Sequence, residues 1–301
     1  MSLAALLSWP ASYAQADNGV SVAPFYQNAT IGQDQSDSEV AISLTNNSTI
    51  TQSFKLSTVN FGSLNNTGGV AFLGSSPSQF AQNHGLTSWM SLNESSVTLY
   101  PGSNSQMIVT IHNSSSLSVG GHYGAVLATE QSAPTGQGAK PQVGVLQVLS
   151  SLILLVKAGG PPPDLVLVSQ KTPGTGAFAL PSAATDSFED QGDTHVVPRG
   201  LTVMQDPTGN VVMKGGLNIE SGIILPGMYR SFTTPMIKLA SAWLPGNYTL
   251  TTTYHYDGAS ATKVFRTSFW YWGPFYVWLI IAIVLLGAAI AIWWWRLRPK
   301  A

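Results

Sequence analysis

Apolar and polar residues alternate through much of the chain between residues 17 and 268, and helical periodicity is missing there. In one example, Val40-Ala-Ile-Ser-Leu44 is followed by a polar turn at residues 45–49 and by a second apolar run, Phe54-Lys-Leu56. Alternation with a period of two around an Asn/Ser/Thr turn is the pattern of a β-hairpin. Asp206-Pro-Thr-Gly-Asn210 has the composition of another hairpin turn. These patterns predict a region built from strands.

A short pattern occurs twice in this region: a Pro-Gly turn, a strand and then Gly-x-Tyr. The first copy contains Pro101 and Tyr123, the second contains Pro226 and Tyr248, and the proline-to-tyrosine spacing is the same in both. The distance between the copies predicts two domains of immunoglobulin size. A tyrosine at this corner of a sandwich can bury its ring and return its hydroxyl to upstream backbone. Tyr123 and Tyr248 are therefore the candidate fold corners, with ordinary strand aromatics as the alternative.

The predicted fold class is an all-β ectodomain of two tandem immunoglobulin-like β-sandwiches followed by one C-terminal transmembrane α-helix. Ala158-Gly-Gly-Pro-Pro-Pro163 disfavours both helix and strand, so it separates the two sandwiches. The predicted domains are a signal-peptide remnant (1–16), immunoglobulin-like domain 1 (17–157), a Gly/Pro linker (158–163), immunoglobulin-like domain 2 (164–268), a transmembrane helix with aromatic flanks (269–295) and a basic cytoplasmic tail (296–301).

The predicted membrane helix is an uncharged apolar run from Phe275 to Trp295. About 20 residues at about 1.5 Å each cross a hydrocarbon core about 30 Å thick. Aromatic rings flank the run on both sides and basic residues follow it, as is typical of segments that end at membrane interfaces. A buried core helix is the alternative, against which the length, the aromatic flanks and the basic end all argue. The predicted membrane-interface residues are Trp270, Trp272, Trp293, Trp294, Trp295, Arg296 and Arg298.

The orientation depends on the start of the chain. Leu3-Ala-Ala-Leu-Leu7 and Ala14-Gln-Ala16 are typical of the end of a signal segment and its small-x-small cleavage site. Cleavage after Ala16 would place the sandwiches outside the plasma membrane and the tail in the cytoplasm, as a single-pass protein. The basic tail agrees with the positive-inside tendency. An ordinary disordered terminus is the alternative, because the motif is short and common.

Composition narrows the function classes. Charged residues make up 9% of the chain, against about 25% in typical soluble proteins. The net charge is −1, so no positive field favours nucleic acid. The absence of cysteine excludes disulfides, thiolate chemistry and cysteine-ligated zinc, and in an exported chain it favours a bacterial cell envelope. The N-x-[ST] sequons would matter only in a glycosylating host.

No sequence motif indicates an enzyme. The five histidines are isolated from one another, and no G-x-S-x-G elbow, Walker loop or glycine-rich dinucleotide turn is present. We therefore predict no enzymatic activity, no catalytic residues, no cofactor and no metal site. Two acidic clusters leave calcium binding open, with solvated loop carboxylates as the alternative. Their members are Asp34, Asp37 and Glu39 in the first and Asp186, Glu189, Asp190 and Asp193 in the second.

The order of features resembles the WxL-interacting surface proteins of Gram-positive bacteria. The matching stretches are Val20-Ser-Val-Ala-Pro24, Val40-Ala-Ile-Ser-Leu-Thr-Asn-Asn-Ser48, Val97-Thr-Leu-Tyr-Pro-Gly102, Gly121-His-Tyr-Gly-Ala-Val126, Gly209-Asn-Val-Val-Met-Lys-Gly215 and Leu244-Pro-Gly-Asn-Tyr-Thr-Leu250. The resemblance implies a first immunoglobulin-like domain assigned to peptidoglycan binding and a second assigned to host or partner binding. It also implies that the first domain is similar to pilus-assembly chaperones, which bind partners along a strand edge.

These observations predict a membrane-anchored envelope protein that binds or adheres to a surface protein or a cell-wall glycan. We expect the closing strand of domain 1, Gln142 to Val156, to be an exposed edge, because its apolar content exceeds what one buried face requires. The alternative is a structural subunit of a larger membrane or cell-surface assembly, such as an oligomer, for which Gly287-Ala-Ala289 offers a small-residue helix face. The candidate partner-binding residues are Gln142, Val143, Val145, Gln147 and Val148.

Overall fold

The computed structural model describes residues 19–73, 79–131 and 147–297. The described residues form two compact units: unit 1 holds those of 1–61 and 72–158, and unit 2 holds those of 62–71 and 159–301. Both units are built from β-sheets, and the C-terminal helix belongs to unit 2. The predicted fold class is confirmed.

Unit 1 is a sandwich of two sheets. Its strands are β1 (Val20–Ala23), β2 (Tyr26–Ile31), β3 (Asp37–Asn46), β4 (Gln52–Ser63), β5 (Val70–Leu73), β6 (Met90–Leu92), β7 (Ser96–Leu99), β8 (Asn104–His112), β9 (Gly120–Glu130) and β10 (Val148–Lys157). Residues 62–71, which include the end of β4 and the start of β5, fall in unit 2. The first sheet has the order β1-β3-β8-β6. The second has the order β2-β10-β9-β4-β5, with β7 also paired to β4.

The core of unit 1 lies between these sheets. Alternate residues of β3, Val40, Ile42 and Leu44, are buried, as the period-two pattern predicts. From the second sheet, alternate residues of β9, such as Val126 and Ala128, enter the same apolar cluster. Fully burying a side chain of valine or leucine size contributes about 1.5–3 kcal/mol. One face of each sheet is therefore enough to form a core.

The second sheet is also buried on its other face. Tyr123 and Ala125 alternate with the core residues of β9 and pair with Leu154 and Leu152 of β10, and all four are buried. A short helix, α1 (Gln79–His84), supplies Phe80, whose ring stacks on that of Tyr123 with centroids 5.9 Å apart. Burial on both faces explains why the end of β10 is a continuous apolar run instead of an alternating one.

Unit 2 also has two sheets and ends in the second helix, α2 (Phe275–Leu297). Its strands are β11 (Leu165–Lys171), β12 (Ala183–Asp190), β13 (Arg199–Gln205), β14 (Val211–Leu217), β15 (Tyr229–Pro235), β16 (Ile237–Lys238), β17 (Gly246–His255) and β18 (Lys263–Tyr271). The sheet orders are β11-β12-β15 and β16-β14-β13-β17-β18. The second Gly-x-Tyr tyrosine, Tyr248, is fully buried, and its hydroxyl donates to the Leu244 carbonyl at 2.9 Å.

A polar layer divides the interior of unit 2. Asp186 is fully buried and accepts hydrogen bonds from Gln170 (2.7 Å) and Thr252 (3.1 Å), while the Thr202 and Thr252 hydroxyls lie 2.8 Å apart. Burial raises the pKa of Asp186, and these hydrogen bonds partly oppose the rise. Apolar clusters lie on both sides of the layer, one containing Tyr254 and the other containing Leu250.

Helix α2 is long and apolar enough to cross a membrane. The apolar segment covers Tyr276–Trp295, 20 residues that are not buried against the described part of the chain. An apolar helix without protein around it is suited to a lipid environment, because all its backbone groups are satisfied internally.

Candidate partner-binding edge

The start of the described chain crosses from one sheet of unit 1 to the other. Strand β1 pairs antiparallel with β3 in the first sheet. After Pro24 and Phe25, β2 pairs in parallel with β10 in the second sheet. The first residues of β10, before Leu152, therefore precede the start of β2 and do not pair with it.

Among the residues that the structure describes, no strand pairs with the β2 side of β10 before Leu152, and we call this stretch the open edge. The ladder with β9 runs from Val148 to Lys157, whereas the ladder with β2 begins at Leu152. The Gln147 carbonyl accepts a hydrogen bond from the Glu130 amide at 2.9 Å, and the Leu152 amide donates to the Phe25 carbonyl at 2.9 Å. The backbone groups of odd-numbered residues of β10 therefore point toward β9, and those of even-numbered residues point toward the β2 side. The backbone groups of Val148 and Ser150 consequently point away from β9, before β2 begins.

This geometry corrects part of the predicted edge. From Leu152 to Val156 the prediction is wrong, because β2 pairs with these residues and makes β10 an interior strand there. Gln142, Val143 and Val145 lie outside the described residues. Gln147 and Val148 lie at the open end, where the Gln147 amide donates to the Glu130 carboxylate at 3.2 Å.

Exposed apolar side chains flank the open edge. Phe25 is 63% exposed and Val148 is 53% exposed, and Tyr26 is also exposed. The rings of Phe25 and Tyr26 meet edge-on, with centroids 6.4 Å apart. These residues and Ser150 are uncharged, so covering them with a partner requires no desolvation of a charge.

Phe25 and Tyr26 were not among the residues predicted from the sequence. The available signal was an aromatic pair directly after Pro24, at the boundary between two strands. Alternation places side chains on faces but does not show that β2 starts beside the middle of β10. The importance of this pair therefore becomes visible only in the assembled sheet.

A second feature of unit 1 is an open groove of ≈ 610 Å³ between β4 and the segment that joins β6 to β7. Its lining includes Leu56, Thr58, Met90, Leu92 and Glu94. The Leu56 amide donates to the Ser95 carbonyl at 2.8 Å, which closes one end of the β4 edge. The backbone groups of even-numbered residues of β4 point toward this groove, and those of odd-numbered residues point toward β9. The backbone amide and carbonyl of Thr58 therefore point into the groove. The groove offers a shorter edge than that of β10.

The acidic clusters do not assemble into a metal site. In the described ranges, no group of three or more His, Cys, Asp or Glu side chains is arranged to hold a metal ion. Asp37 instead contacts His112 at 3.0 Å, and Asp186 belongs to the polar layer of unit 2. Burial raises the pKa of Asp190 to about 7, and the neighbouring Asp164 and Asp193 add to the rise.

The predicted membrane-interface residues lie at both ends of α2. Trp270 and Trp272 are exposed just before the helix. Trp293, Trp294 and Trp295 are exposed in its last turns, and Arg296 follows them within the helix. Arg298 lies outside the described residues.

The two predicted corner tyrosines have different surroundings. Tyr248 lies in the sandwich interior, where its ring meets those of Phe269 and Tyr271. Tyr123 lies on the sheet face opposite the core and contacts Phe61 and Phe80.

Comparisons with known proteins give similarities of fold. No protein-family model and no curated protein matches the chain. A solved structure of a chaperone–tip adhesin complex of CFA/I fimbriae is 9% identical, over 83% of this chain and 98% of that chain, with a TM-score of 0.47. The class 5 fimbriae chaperone CfaA is 9% identical, over 83% and 99% of the two chains, with a TM-score of 0.44. A structure of the Salmonella enterica SafA pilin with the SafB chaperone is 10% identical, over 83% and 96%, with a TM-score of 0.41.

Because these sequence identities and TM-scores are low, the assignment of the fold class rests on the sheet topology described above. Membership of the WxL-interacting family stays a resemblance.

Proposed function

We propose that this protein is a membrane-anchored, extracytoplasmic binding protein of a bacterial cell envelope, and that it binds an extended segment of another envelope protein at the start of β10. One observation carries the proposal: the outward backbone groups of Val148 and Ser150 precede the first residue of β10 that pairs with β2, with exposed Phe25, Tyr26 and Val148 around them. A segment that adds a strand there pairs with the backbone and packs alternate side chains on the aromatic rings.

The chemistry of the edge favours a protein over a glycan. Unpaired amide and carbonyl groups of a strand are matched by those of another extended peptide. Exposed aromatic residues beside such groups are typical of the anchors that supply most of the affinity in protein interfaces. The uncharged surroundings favour a segment with alternating apolar residues and few charges.

The anchor is α2, with the sandwiches outside the plasma membrane and the tail in the cytoplasm. Tryptophan residues at both ends of the helix support the span, and the basic residues after it support the orientation. A signal segment before residue 17 would complete this topology. Attachment to a membrane keeps the binding edge at the cell surface, where the partner is expected.

Photo-crosslinking identifies the partner and tests the edge. A photoreactive residue at position 148 of the full-length protein, in its native membrane, should crosslink a distinct protein. The same residue at Val264, an exposed position of β18 in unit 2, should not. If both positions give the same products, or if neither gives one, the proposed edge is wrong.

Affinity measurements with the identified partner then separate backbone pairing from side-chain contact. Val148→Pro removes an amide that points away from β9, so the ladder with β9 is kept while partner pairing is lost. We expect affinity to fall about tenfold or more, corresponding to about 1.4 kcal/mol. Val148→Thr keeps the amide and the β-branched shape, and it should change the affinity by no more than about threefold. Equal affinities for the two variants would contradict edge pairing.

The structural-subunit alternative makes a different prediction for the solubilised protein. Gly287 has open space around it on α2, so another helix can approach closely there. A stoichiometric complex that survives Val148→Pro but dissociates on Gly287→Leu would favour assembly through the membrane helix. A complex that is lost with Val148→Pro favours partner binding at β10.

A further inference from the structure

The junction between the sandwich of unit 2 and its membrane helix is short. Strand β18 ends at Tyr271 and α2 begins at Phe275, with Gly273 between them in the left-handed region at φ +79°. The apolar segment of α2 begins at Tyr276. Three residues reach about 10 Å at most, so Gly273 lies within that distance of the hydrocarbon boundary if α2 spans the membrane.

Two loops that are distant in the sequence meet this junction. A Cβ atom placed on Gly273 would lie 2.9 Å from the carbonyl oxygen of Trp243 and 3.8 Å from the nitrogen of Pro245. The amide of Trp272 donates to the carbonyl of Ala177 at 2.8 Å. The backbone of both loops is therefore at the level of the junction.

These segments carry exposed aromatic side chains, which we name the seating surface: Phe178, Trp243, Trp270 and Trp272. Trp243 is 58% exposed. The rings of Trp270 and Trp272 are 5.9 Å apart, and that of Trp272 is 6.1 Å from Trp278 in α2. The aromatic contacts therefore continue from the sandwich into the membrane helix.

Two ion pairs lie at the opposite end of unit 2. Lys263, at the start of β18, pairs with Asp164 at 3.1 Å. Arg199 and Asp257 lie 3.8 Å apart, where β13 begins and β17 has ended. The loop residues 173–180 and 239–245, by contrast, contain no charged side chain.

One acidic residue near the junction limits how deeply this end of unit 2 can enter the membrane. Asp206 lies in the turn beside Gly246, where Pro207 would contact a Cβ atom on that glycine. Its carboxylate accepts from the Thr208 and Asn210 amides at 2.9 Å, and hydrogen bonding lowers its pKa. A charged turn at this end suits the polar headgroup layer and not the hydrocarbon core.

We propose that the seating surface rests in the interfacial layer of the same bilayer that α2 crosses, so that unit 2 is fixed against the membrane and does not pivot freely on residues 272–274. The ligand is the lipid headgroup and acyl-chain boundary, where the amphipathic ring of tryptophan is most favourable. The proposal rests on the proposed anchoring by α2. It adds Trp243 and Phe178 to the membrane contacts, although neither adjoins the helix in sequence.

Single-cysteine labelling of the full-length protein tests this directly, because the chain contains no cysteine. Nitroxide labels are placed by Trp243→Cys and, separately, by Phe178→Cys, in nanodiscs of phosphatidylcholine and phosphatidylglycerol. Ile219→Cys is the aqueous control, since Ile219 is 80% exposed in unit 2 just after β14. Gly287→Cys reports the middle of α2. Collision rates with oxygen and with a water-soluble nickel complex give the depth of each label.

We expect the label at position 287 to lie in hydrocarbon and the label at 219 to lie in water. Labels at 243 and 178 should collide with nickel about threefold less often than that at 219, as at an interface. If the label at position 287 lies in hydrocarbon while the labels at 243 and 178 are as accessible to nickel as the label at 219, the proposed membrane contact of the seating surface is wrong and the anchoring by α2 stands. If 287 is in water, the anchor itself fails and the seating surface fails with it. Testing two positions on separate loops excludes an effect of one substitution on local folding.

Discussion

The interiors of unit 1 and unit 2 are filled in different ways. Unit 1 has one continuous apolar cluster between its sheets. In unit 2, Asp186 of β12 lies between Ala184 and Phe188, which belong to different clusters, and Thr252 of β17 likewise separates Leu250 from Tyr254. A buried carboxylate is tolerated only while its hydrogen bonds are satisfied. Unit 2 should therefore be the more sensitive of the two to the loss of a single polar atom.

The largest expected effect is that of Asp186→Ala. It leaves the donors of Gln170, Thr202 and Thr252 without their acceptor in the interior, and we expect unit 2 to lose about 3–5 kcal/mol of unfolding free energy. Hydrogen–deuterium exchange of the full-length protein in nanodiscs resolves the two units. Amides of β17 should exchange faster, while those of β9 in unit 1 stay unchanged.

Two further variants control for volume and charge. Asp186→Asn keeps the shape of the side chain and should lower the unfolding free energy of unit 2 by less than half as much as Asp186→Ala does. Replacing Asp186 and Gln170 by Leu, together with Thr202 and Thr252 by Val, joins the two clusters and should recover most of the stability. The comparison of the two interiors would be contradicted if Asp186→Ala left β17 protection unchanged.

The pH dependence should also differ between the units. In unit 1, burial lowers the pKa of His122, so the unfolded state binds more protons and stability rises with pH up to about 6.5. In unit 2, burial lowers the pKa of His195 to about 4, which acts in the same direction. Burial raises the pKa of Asp190 to about 7, so the folded state binds the extra proton and stability falls as pH rises from about 4 to about 7. Asp186 acts in the same direction as Asp190.

Asp190→Asn should remove the contribution of the acid whose pKa burial raises to about 7. Asparagine can still accept from the Gly192 amide, which donates to Asp190 at 3.0 Å. Relative to the native chain, unit 2 of the variant should gain about 2–4 kcal/mol between pH 4 and pH 7, since one pKa unit corresponds to about 1.4 kcal/mol. Exchange or urea unfolding across this range measures the slope. Parallel slopes for variant and native unit 2 would show that Asp190 titrates normally.

The smallest expected effect concerns the matched tyrosines. Tyr248→Phe removes the hydroxyl that donates to Leu244 and should cost unit 2 about 1 kcal/mol. In unit 1, where the corner tyrosine is covered by a ring, Phe80→Ala uncovers the ring of Tyr123 and should increase exchange in the first residues of β9. Unit 2 should not respond to Phe80→Ala, and a response there would mean that the two environments are not independent.

Much of the fold could be predicted from local patterns. The alternation Val40-Ile42-Leu44 and the turn after it correspond to β3 and the start of β4. Asp206-Pro-Thr-Gly-Asn210 corresponds to the turn between β13 and β14. These features succeed because turn chemistry and period-two burial act over a few residues.

The candidate edge was less predictable. The apolar content of residues 142–156 indicated an unusual strand, but the reason is burial on both faces and pairing with β2 over Leu152 to Lys157. An apolar excess has the same appearance in sequence whether a partner protein or another part of the same chain covers it. Within the described part of the chain, the residues of β10 before Leu152 have no strand on the β2 side.

The sequence by itself determined that the chain forms strands, that one segment is long and apolar enough to cross a membrane, and that Gly-x-Tyr occurs twice. These properties depend on spacing and composition within short segments. Only the tertiary structure decided that Tyr123 lies outside the core while Tyr248 lies inside it. It also decided that β10 is open at Val148, and that Trp243 lies against Gly273. The physical reason is that alternation assigns side chains to faces, whereas the strand, helix or loop that covers each face is chosen by contacts between residues far apart in the chain.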